Sequence, residues 1–419
     1  MRGLACLNRP ATEFRLLCRA TVLTLARGGE DKVRNFEQKN INLSSERFIF
    51  AMNYSVFASE SVCEGHPDKI CDQISDAVLD ATLKEDPYSR TGIECLVTTN
   101  KIVVAGEVKT KAKPNYEKIA RKVVRKLGYD QSFYQFDYQT AEVEVLVHKQ
   151  SADIALGVEP GGAGDQGMMF GYACNETPEL MPLPIALSHS LVEKMDQVKK
   201  KELPYLRPDG KSEVVVRYKD GWPTEVERVV LAVPHDPKIK KSQVKKDLFD
   251  HVVLSVLEKY KQEPIKPRQL IINGTGKWEI GGPHSDMGET GRKIIVDSYG
   301  GMARVGGGCF SGKDPTKVDR SGAYGARFIA KNIVAAGLAD RCEVQVAYVI
   351  GHRDPITRAI ETFGTARKPR RMIEDFAWGL LDLSVAGIIN GLNLRWPIYQ
   401  KTARYGHFGH KEYPWEKIV

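Results

Sequence analysis

No CxxC pair and no zinc-type spacing of cysteine with histidine occurs in this 419-residue chain, although it contains eight cysteines. Neither a metal cluster nor a disulfide framework is implied, and scattered reduced thiols fit a cytosol-like compartment. Long apolar runs are missing as well. The most apolar stretch, Ala377 to Leu392, is interrupted by Asp382 and Asn390, so no membrane span is expected. Concentrated basic charge is also absent. Residues 1–51 contain 9 Lys+Arg against 5 Asp+Glu, half of the net charge of +8, and the one basic cluster, Arg367 to Arg371, is short and includes a proline. A nucleic-acid surface, which gathers cations among aromatics, is therefore not expected. What remains is an ordinary globular composition, 42% hydrophobic, long enough for two or three domains.

The first 51 residues read differently from the rest. Arg2, Arg9, Arg15, Arg19 and Arg27 face a single acid, Glu13, within residues 1–28, a composition similar to that of a transit peptide. No secretory h-region accompanies it, and the stretch to Phe50 is polar and without pattern. Met52 stands just before the organised sequence. Residues 1–51 are thus expected to be a dispensable, disordered extension, with a cytoplasmic location as the main reading and an organellar one as the alternative.

Flexible backbone and charge are densest from Arg304 to Arg327, RVGGGCFSGKDPTKVDRSGAYGAR. Gly306, Gly307 and Gly308 let the backbone approach an anion closely, and Gly312-Lys313 brings an ammonium to the same place. The run from Gly307 fits the first seven positions of a Walker A loop, but the eighth is Asp314, so the hydroxyl that such a loop offers to Mg2+ is lacking. A helix is expected from Ser321, with Tyr324, Phe328 and Ala335 at helical intervals and Gly337 near its end.

Elsewhere the element order repeats. GHPDK, Gly65 to Lys69, precedes a helix with apolar Ile70, Ile74, Val78 and Ala81, and Pro67 suits its first position. Strands at Glu94–Thr98 and Ile102–Val108 lead to a helix over Tyr116–Leu127. The order returns with strands Val214–Tyr218 and Val229–Val233 joined through Asp220-Gly221, then an amphipathic helix over Leu248–Tyr260. A third round has an alternating strand at Val344–Ile350 and helical patterning from Met372 through Ile389. The chain reads as α+β: three structurally related sheet-plus-helix units in a pseudo-threefold arrangement, over residues 54–153, 162–280 and 281–415.

Five separated motifs share one explanation: GHPDK, GAGDQG (Gly162 to Gly167), RPDGK (Arg207 to Lys211), GGPHSDMGETGRK (Gly281 to Lys293) and GGGCFSGKDPTKVDR. Together they resemble the methionine adenosyltransferase, or S-adenosylmethionine synthetase, family, from about Tyr54 to the YGHFG and PWEK segments. The resemblance implies that methionine sulfur attacks C5′ of ATP, with the released triphosphate hydrolysed to pyrophosphate and phosphate. It implies His66 as donor to O5′, although a lone histidine there would read as a helix cap. Arg292, Lys293, Lys313 and Lys211 would face the triphosphate, Asp68 and Asp319 would bind Mg2+, and Glu94 would serve K+. Methionine would be held by Glu107, Gln150, Lys317 and Asp286. Asp165, Asp209, Lys277, Trp278, Asp286 and Cys309 would complete the ATP site, Trp278 replacing the more usual phenylalanine.

The segment from Ser151 to Gly161 is shorter than the active-site loop of many members, which places lid closure in question. A homodimer or homotetramer with shared active sites is implied, with ATP and L-methionine as partners and neither nucleic acid nor membrane. Two competing readings are a phosphotransferase, which would release ADP, and a basic nucleic-acid-binding module, whose binding would collapse with salt. Asp314 opposes the first and the scattered charge opposes the second.

Overall fold

The computed structural model describes residues 55–150 and 161–419, so the expectations for residues 1–51 and for the loop beginning at Ser151 lie outside the described residues. The first segment runs β1 (Val56–Val62), α1 (Pro67–Glu85), β2 (Arg90–Thr98), β3 (Lys101–Lys109), α2 (Tyr116–Lys126) and β4 (Glu142–Lys149). Pro67 occupies the first turn of α1, where its missing N–H costs nothing. Thr91, Ile93, Cys95 and Val97 of β2 alternate inward onto α1, and Asn100 makes the β2–β3 turn at φ +50°. Asn115 caps α2 by accepting the Lys118 N–H at 2.9 Å. The helix carries the chain back, so β4 pairs parallel with β3.

A second segment repeats this path as β5 (Gly167–Cys174), α3 (Leu183–Lys199), β6 (Lys211–Lys219), β7 (Trp222–Ala232), α4 (Lys241–Leu248), α5 (Leu254–Lys259) and β8 (Leu270–Ile272). Asp220 and Gly221 both have positive φ, +52° and +81°, as a two-residue hairpin between twisted strands requires. β8 again returns parallel, here to β7. The helix expected over Leu248–Tyr260 starts earlier, at Lys241, and passes through one π turn at Phe249–Val253 between α4 and α5.

The third segment runs β9 (Gly288–Glu289), α6 (Ile294–Asp297), α7 (Val318–Ala335), β10 (Arg341–Tyr348), β11 (Thr357–Glu361), α8 (Arg370–Gly379), α9 (Val385–Gly391) and α10 (Tyr399–Thr402). α7 begins three residues before the expected Ser321. The continuous helix expected from Met372 through Ile389 is instead broken between α8 and α9. Asp382 accepts both the N–H and the hydroxyl of Ser384, at 2.8 and 2.9 Å, and Ser384 in turn caps α9 by accepting the Gly387 N–H. Local side-chain bonding thus outcompetes helix continuation.

The fold is mixed α+β with three sheets, ordered β4-β3-β2-β9, β1-β6-β7-β8 and β11-β10-β5. Each is completed by the first strand of another segment, added antiparallel: β1 joins β6, β5 joins β10, and β9 joins β2. The exchange is cyclic, which relates the three units topologically and interlocks them. Ile70, Ile74 and Val78 of α1 form one core with Ile93, Val97, Ile102 and Val104 of the sheet and Val123 and Val124 of α2. Full burial of each such side chain contributes about 1.5–3 kcal/mol. A second core runs without a break between the other two sheets.

Candidate active site

The start of α1 is the centre of the site. His66 is the N-cap, in extended backbone, and its Nδ1 accepts the Asp68 N–H at 3.2 Å. That bond makes Nδ1 an acceptor and leaves the ring proton on Nε2. Burial, reinforced by the nearby charges of Lys293 and Lys211, pushes His66 down to about 3, so the imidazole is neutral at physiological pH. The helix-cap and donor readings of this residue are therefore compatible: the cap selects the tautomer whose free N–H can donate.

Asp68 lies two residues after the cap, within the first turn. Its carboxylate accepts the Glu289 N–H at 2.9 Å, pairs closely with Lys293, and has Arg292 at 3.9 Å. Burial opposes its charge, but the Lys293 ammonium and the Glu289 N–H hold it below the ordinary carboxylate range. Gly288 is needed at this approach, because a Cβ there would stand 2.2 Å from the Pro67 carbonyl.

Three of the motifs meet behind this point. Pro208 of RPDGK lies so close to Gly65 of GHPDK that a Cβ on the glycine would meet its carbonyl oxygen at 2.6 Å. The Tyr129 hydroxyl donates to the Gly65 carbonyl at 2.6 Å. Asp209 is buried, with one oxygen accepting the Gly210 N–H at 2.7 Å and the other the Gly282 N–H at 2.8 Å. In the structure its carboxylate therefore joins two loops. Lys211, exposed, begins β6 beyond it, and Trp278, half-buried, is tied through its carbonyl to the His235 N–H at 3.1 Å. Lys277 and Asp286 are exposed on the flanking turns.

The glycine-rich loop approaches from the other side. Lys313 pairs with Asp319 at 2.5 Å, and Gly308 is required beside that carboxylate, since a Cβ would fall 2.1 Å from its Cγ. Gly167, the last residue of GAGDQG, lies against the same aspartate, whereas Asp165 is exposed on the loop before it. Cys309 touches Gly291, next to Arg292 and Lys293, and so links the two cation loops. Burial pushes its thiol up to about 11 despite Lys313, which keeps it neutral.

Asp314 explains why this loop departs from Walker A. The side chain points inward, fully buried, and accepts the Thr91 N–H at 2.9 Å, the Thr316 hydroxyl at 2.6 Å and the Lys317 ammonium at 3.0 Å. Residue 314 thus anchors the loop to β2. Lys317 also donates to the Thr91 carbonyl at 2.6 Å. Gly92, beside it, faces Glu107 across the β2–β3 ladder. A Cβ at Gly92 would lie 3.6 Å from Glu107 and 3.7 Å from Lys317, so the glycine opens a space between opposite charges. Gln150 donates to Glu107 at 3.4 Å, and its buried amide oxygen has no hydrogen-bond partner among the described residues. Glu94 is exposed two residues along the same strand face.

Three sequence-family models match the chain in order: S-adenosylmethionine synthetase N-terminal domain over residues 54–152, central domain over 160–278, and C-terminal domain over 280–417. The chain belongs to the S-adenosylmethionine synthetase family. With the complete set of domains, its activity is that of a methionine adenosyltransferase, with ATP and methionine as substrates and a general dependence on metal. The sequence reading passed over a second layer of this site: Lys69, Asp72, Asp76, Asp297 and Arg320, all buried directly beneath the cation loops. A signal for part of it is visible in the four-residue spacing of Asp68, Asp72, Asp76 and Asp80.

Proposed function

We propose that this methionine adenosyltransferase works by alignment and charge stabilisation rather than by general-base chemistry. The methionine sulfur attacks C5′ of ATP, the S–C5′ bond forms, and the C5′–O5′ bond breaks with its electron pair leaving on the triphosphate. No proton leaves the sulfur, so no base is required. The Nε2–H of neutral His66 donates to O5′ as charge develops there. Arg292, Lys293, Lys211 and Lys313 face the triphosphate, and the same pocket holds it for hydrolysis to pyrophosphate and phosphate. Glu107 takes the methionine ammonium and Lys317 its carboxylate, with Gln150 beside them and Asp286 and Asp165 closing the substrate shell. Trp278 stacks on adenine, near Lys277, Asp209 and Cys309.

The donor chemistry fits Mg2+. Asp68 and Asp319 are hard-oxygen groups, each now paired with a lysine, and no group of three or more metal-binding side chains occurs among the described residues. One or two carboxylates plus substrate phosphates suit an ion that keeps several waters. When bound, Mg2+ supplies charge neutralisation on the triphosphate, and exposed Glu94 is the residue for K+. Exposed apolar side chains on β4, Val145 and Leu146, support assembly as a homodimer or homotetramer with shared sites. No helix of the described residues is long and apolar enough to cross a membrane; a cytoplasmic location is proposed from the scattered cysteines, free among the described residues.

The observation that carries this reading is the neutral His66 cap set between the lysines and Asp68. Its test is His66→Ser, which can still cap the helix but cannot reach O5′. Turnover to S-adenosylmethionine should fall about 10²- to 10³-fold with the melting temperature nearly unchanged. Parental turnover in the folded variant would remove His66 from the reaction.

A further inference from the structure

Helix α1 presents two opposed faces. Ile70, Ile74 and Val78 lie on one, and Asp68, Asp72, Asp76 and Asp80, also at four-residue intervals, lie about 160° away on the other. Such an acidic face would ordinarily be solvated. Here each aspartate accepts a backbone N–H from the third segment: Asp68 from Glu289, Asp72 from Gly291 at 2.9 Å, Asp76 from Gly312 at 2.8 Å, and Asp80 from Tyr399 and Gln400.

The two middle contacts are alike in detail. Gly291 precedes Arg292-Lys293, and Gly312 precedes Lys313. Both glycines have φ +81°, and neither has room for a side chain: a Cβ would meet Cys309 at 2.5 Å in one case and the Ile93 carbonyl oxygen at 1.8 Å in the other. Each carboxylate is balanced by one buried cation. Lys69 donates to Asp72 at 2.8 Å and to Asp297, whose own N–H bonds the Lys293 carbonyl at 2.8 Å. Arg320 grips Asp76 through two bonds of 2.7 and 2.8 Å and donates to the Lys313 carbonyl at 3.1 Å. Thus both cation loops are tied to the same rigid helix, one turn apart, on the amide immediately before the cation.

We infer that α1 acts as a ruler for the active site, with Asp72 as the positioning residue for Arg292 and Lys293 and Asp76 as the positioning residue for Lys313. Their separation follows from the rise of one helical turn, about 6 Å for four residues, and stays constant as triphosphate enters and leaves. Neither aspartate touches substrate. Both act through the peptide that aims a cation, and a displacement of about 1 Å in such a group can lower the rate about a hundredfold.

The inference rests on the proposed placement of Arg292, Lys293 and Lys313 on the triphosphate, and the test separates the two. Asp72→Asn and Asp76→Asn are made singly and combined with Arg292→Leu or Lys313→Met, and kcat and methionine KM are measured on folded full-length protein. Each asparagine variant should lose about tenfold or more in kcat, with KM within about twofold. The losses should couple by pin. Asp76→Asn should add little to Lys313→Met yet multiply with Arg292→Leu, and Asp72→Asn should do the reverse. Losses that multiply in all four combinations, or parental kcat in the single variants, would overturn the inference while leaving the placement standing. Parental kcat in Arg292→Leu and Lys313→Met would overturn the placement and this inference with it. If an asparagine variant is not recovered folded, Thr402→Val carries the coupling test, since it removes only the hydroxyl that accepts from Arg320 at 3.0 Å. It should couple to Lys313→Met and not to Arg292→Leu, and equal behaviour with both would count against the ruler.

Discussion

Helix α7 carries two wholly buried arginines, seven residues apart, and their bonds lead to different places. Arg327 binds Glu416 through bonds of 3.0 and 2.9 Å, and Lys331 reaches the same carboxylate at 2.7 Å. Glu416 also takes the Gly409 N–H, and Arg327 donates to the carbonyls of Tyr172, Glu179 and Leu180, so this clamp closes the C-terminal segment onto the sheet and reaches none of the candidate site residues. Arg320 makes a similar two-pronged bond to Asp76, but that carboxylate continues to Gly312, and the next residue is a partly exposed lysine aimed into the site. Equal burial and equal pairing therefore do not imply equal roles. On the proposed placement of Lys313, a buried ion pair bears on function when one of its remaining bonds leads to a group that meets substrate.

The largest expected effect falls on the closed clamp. Glu416→Gln leaves two buried cations against a neutral amide, which should cost about 3–5 kcal/mol in urea unfolding, with kcat per folded molecule near parental. A loss under about 1 kcal/mol would show that the clamp is not needed. Burial works against the Glu416 charge, but Arg327 and Lys331 hold its carboxyl below the ordinary range. A depressed folded pKa means stability that is present above the unfolded carboxylate pKa and lost as pH falls through the folded one. The variant should therefore show a flatter acid limb of stability.

Lys313→Met and Arg292→Leu sharpen the other side of the contrast. Each should lower kcat about 10²- to 10³-fold while leaving methionine KM and melting temperature nearly parental. Steady-state kinetics giving only a raised methionine KM would move these residues off the phosphates. A smaller effect is expected at Trp278, which belongs to neither clamp. Trp278→Ala should raise the KM for ATP by the equivalent of about 0.5–1.5 kcal/mol, and Trp278→Phe should restore it, because either ring offers a stacking face. Equal KM values for Ala and Phe would argue against stacking. Last, deleting residues 1–51 should change neither activity nor melting temperature, since that stretch has no patterned apolar face to add to a core. A truncated chain that fails to fold would assign it a structural part.

What the sequence determined was local. Alternating Val344 and Val346, the Asp220-Gly221 turn and the capped start at Pro67 are written in short-range pattern, because side-chain periodicity and turn conformation depend on near neighbours. The motif glycines and their adjacent cations were equally legible. Two things were not. The strand pairing by which β1, β5 and β9 leave for other sheets is a long-range choice, and an exposed strand edge will accept any partner of matching register. The meaning of Asp72 and Asp76 was also closed to sequence reading, for along α1 alone they form an acidic stripe opposite an apolar one, the usual mark of a solvent face. Only when the third segment folded over that stripe, bringing Gly291, Gly312 and Arg320 against it beside the helix's own Lys69, did it become buried and paired. The backbone N–H groups that Asp72 and Asp76 accept from are set by what the tertiary structure brings within about 3 Å, and nothing in their neighbours along α1 specifies Gly291 or Gly312.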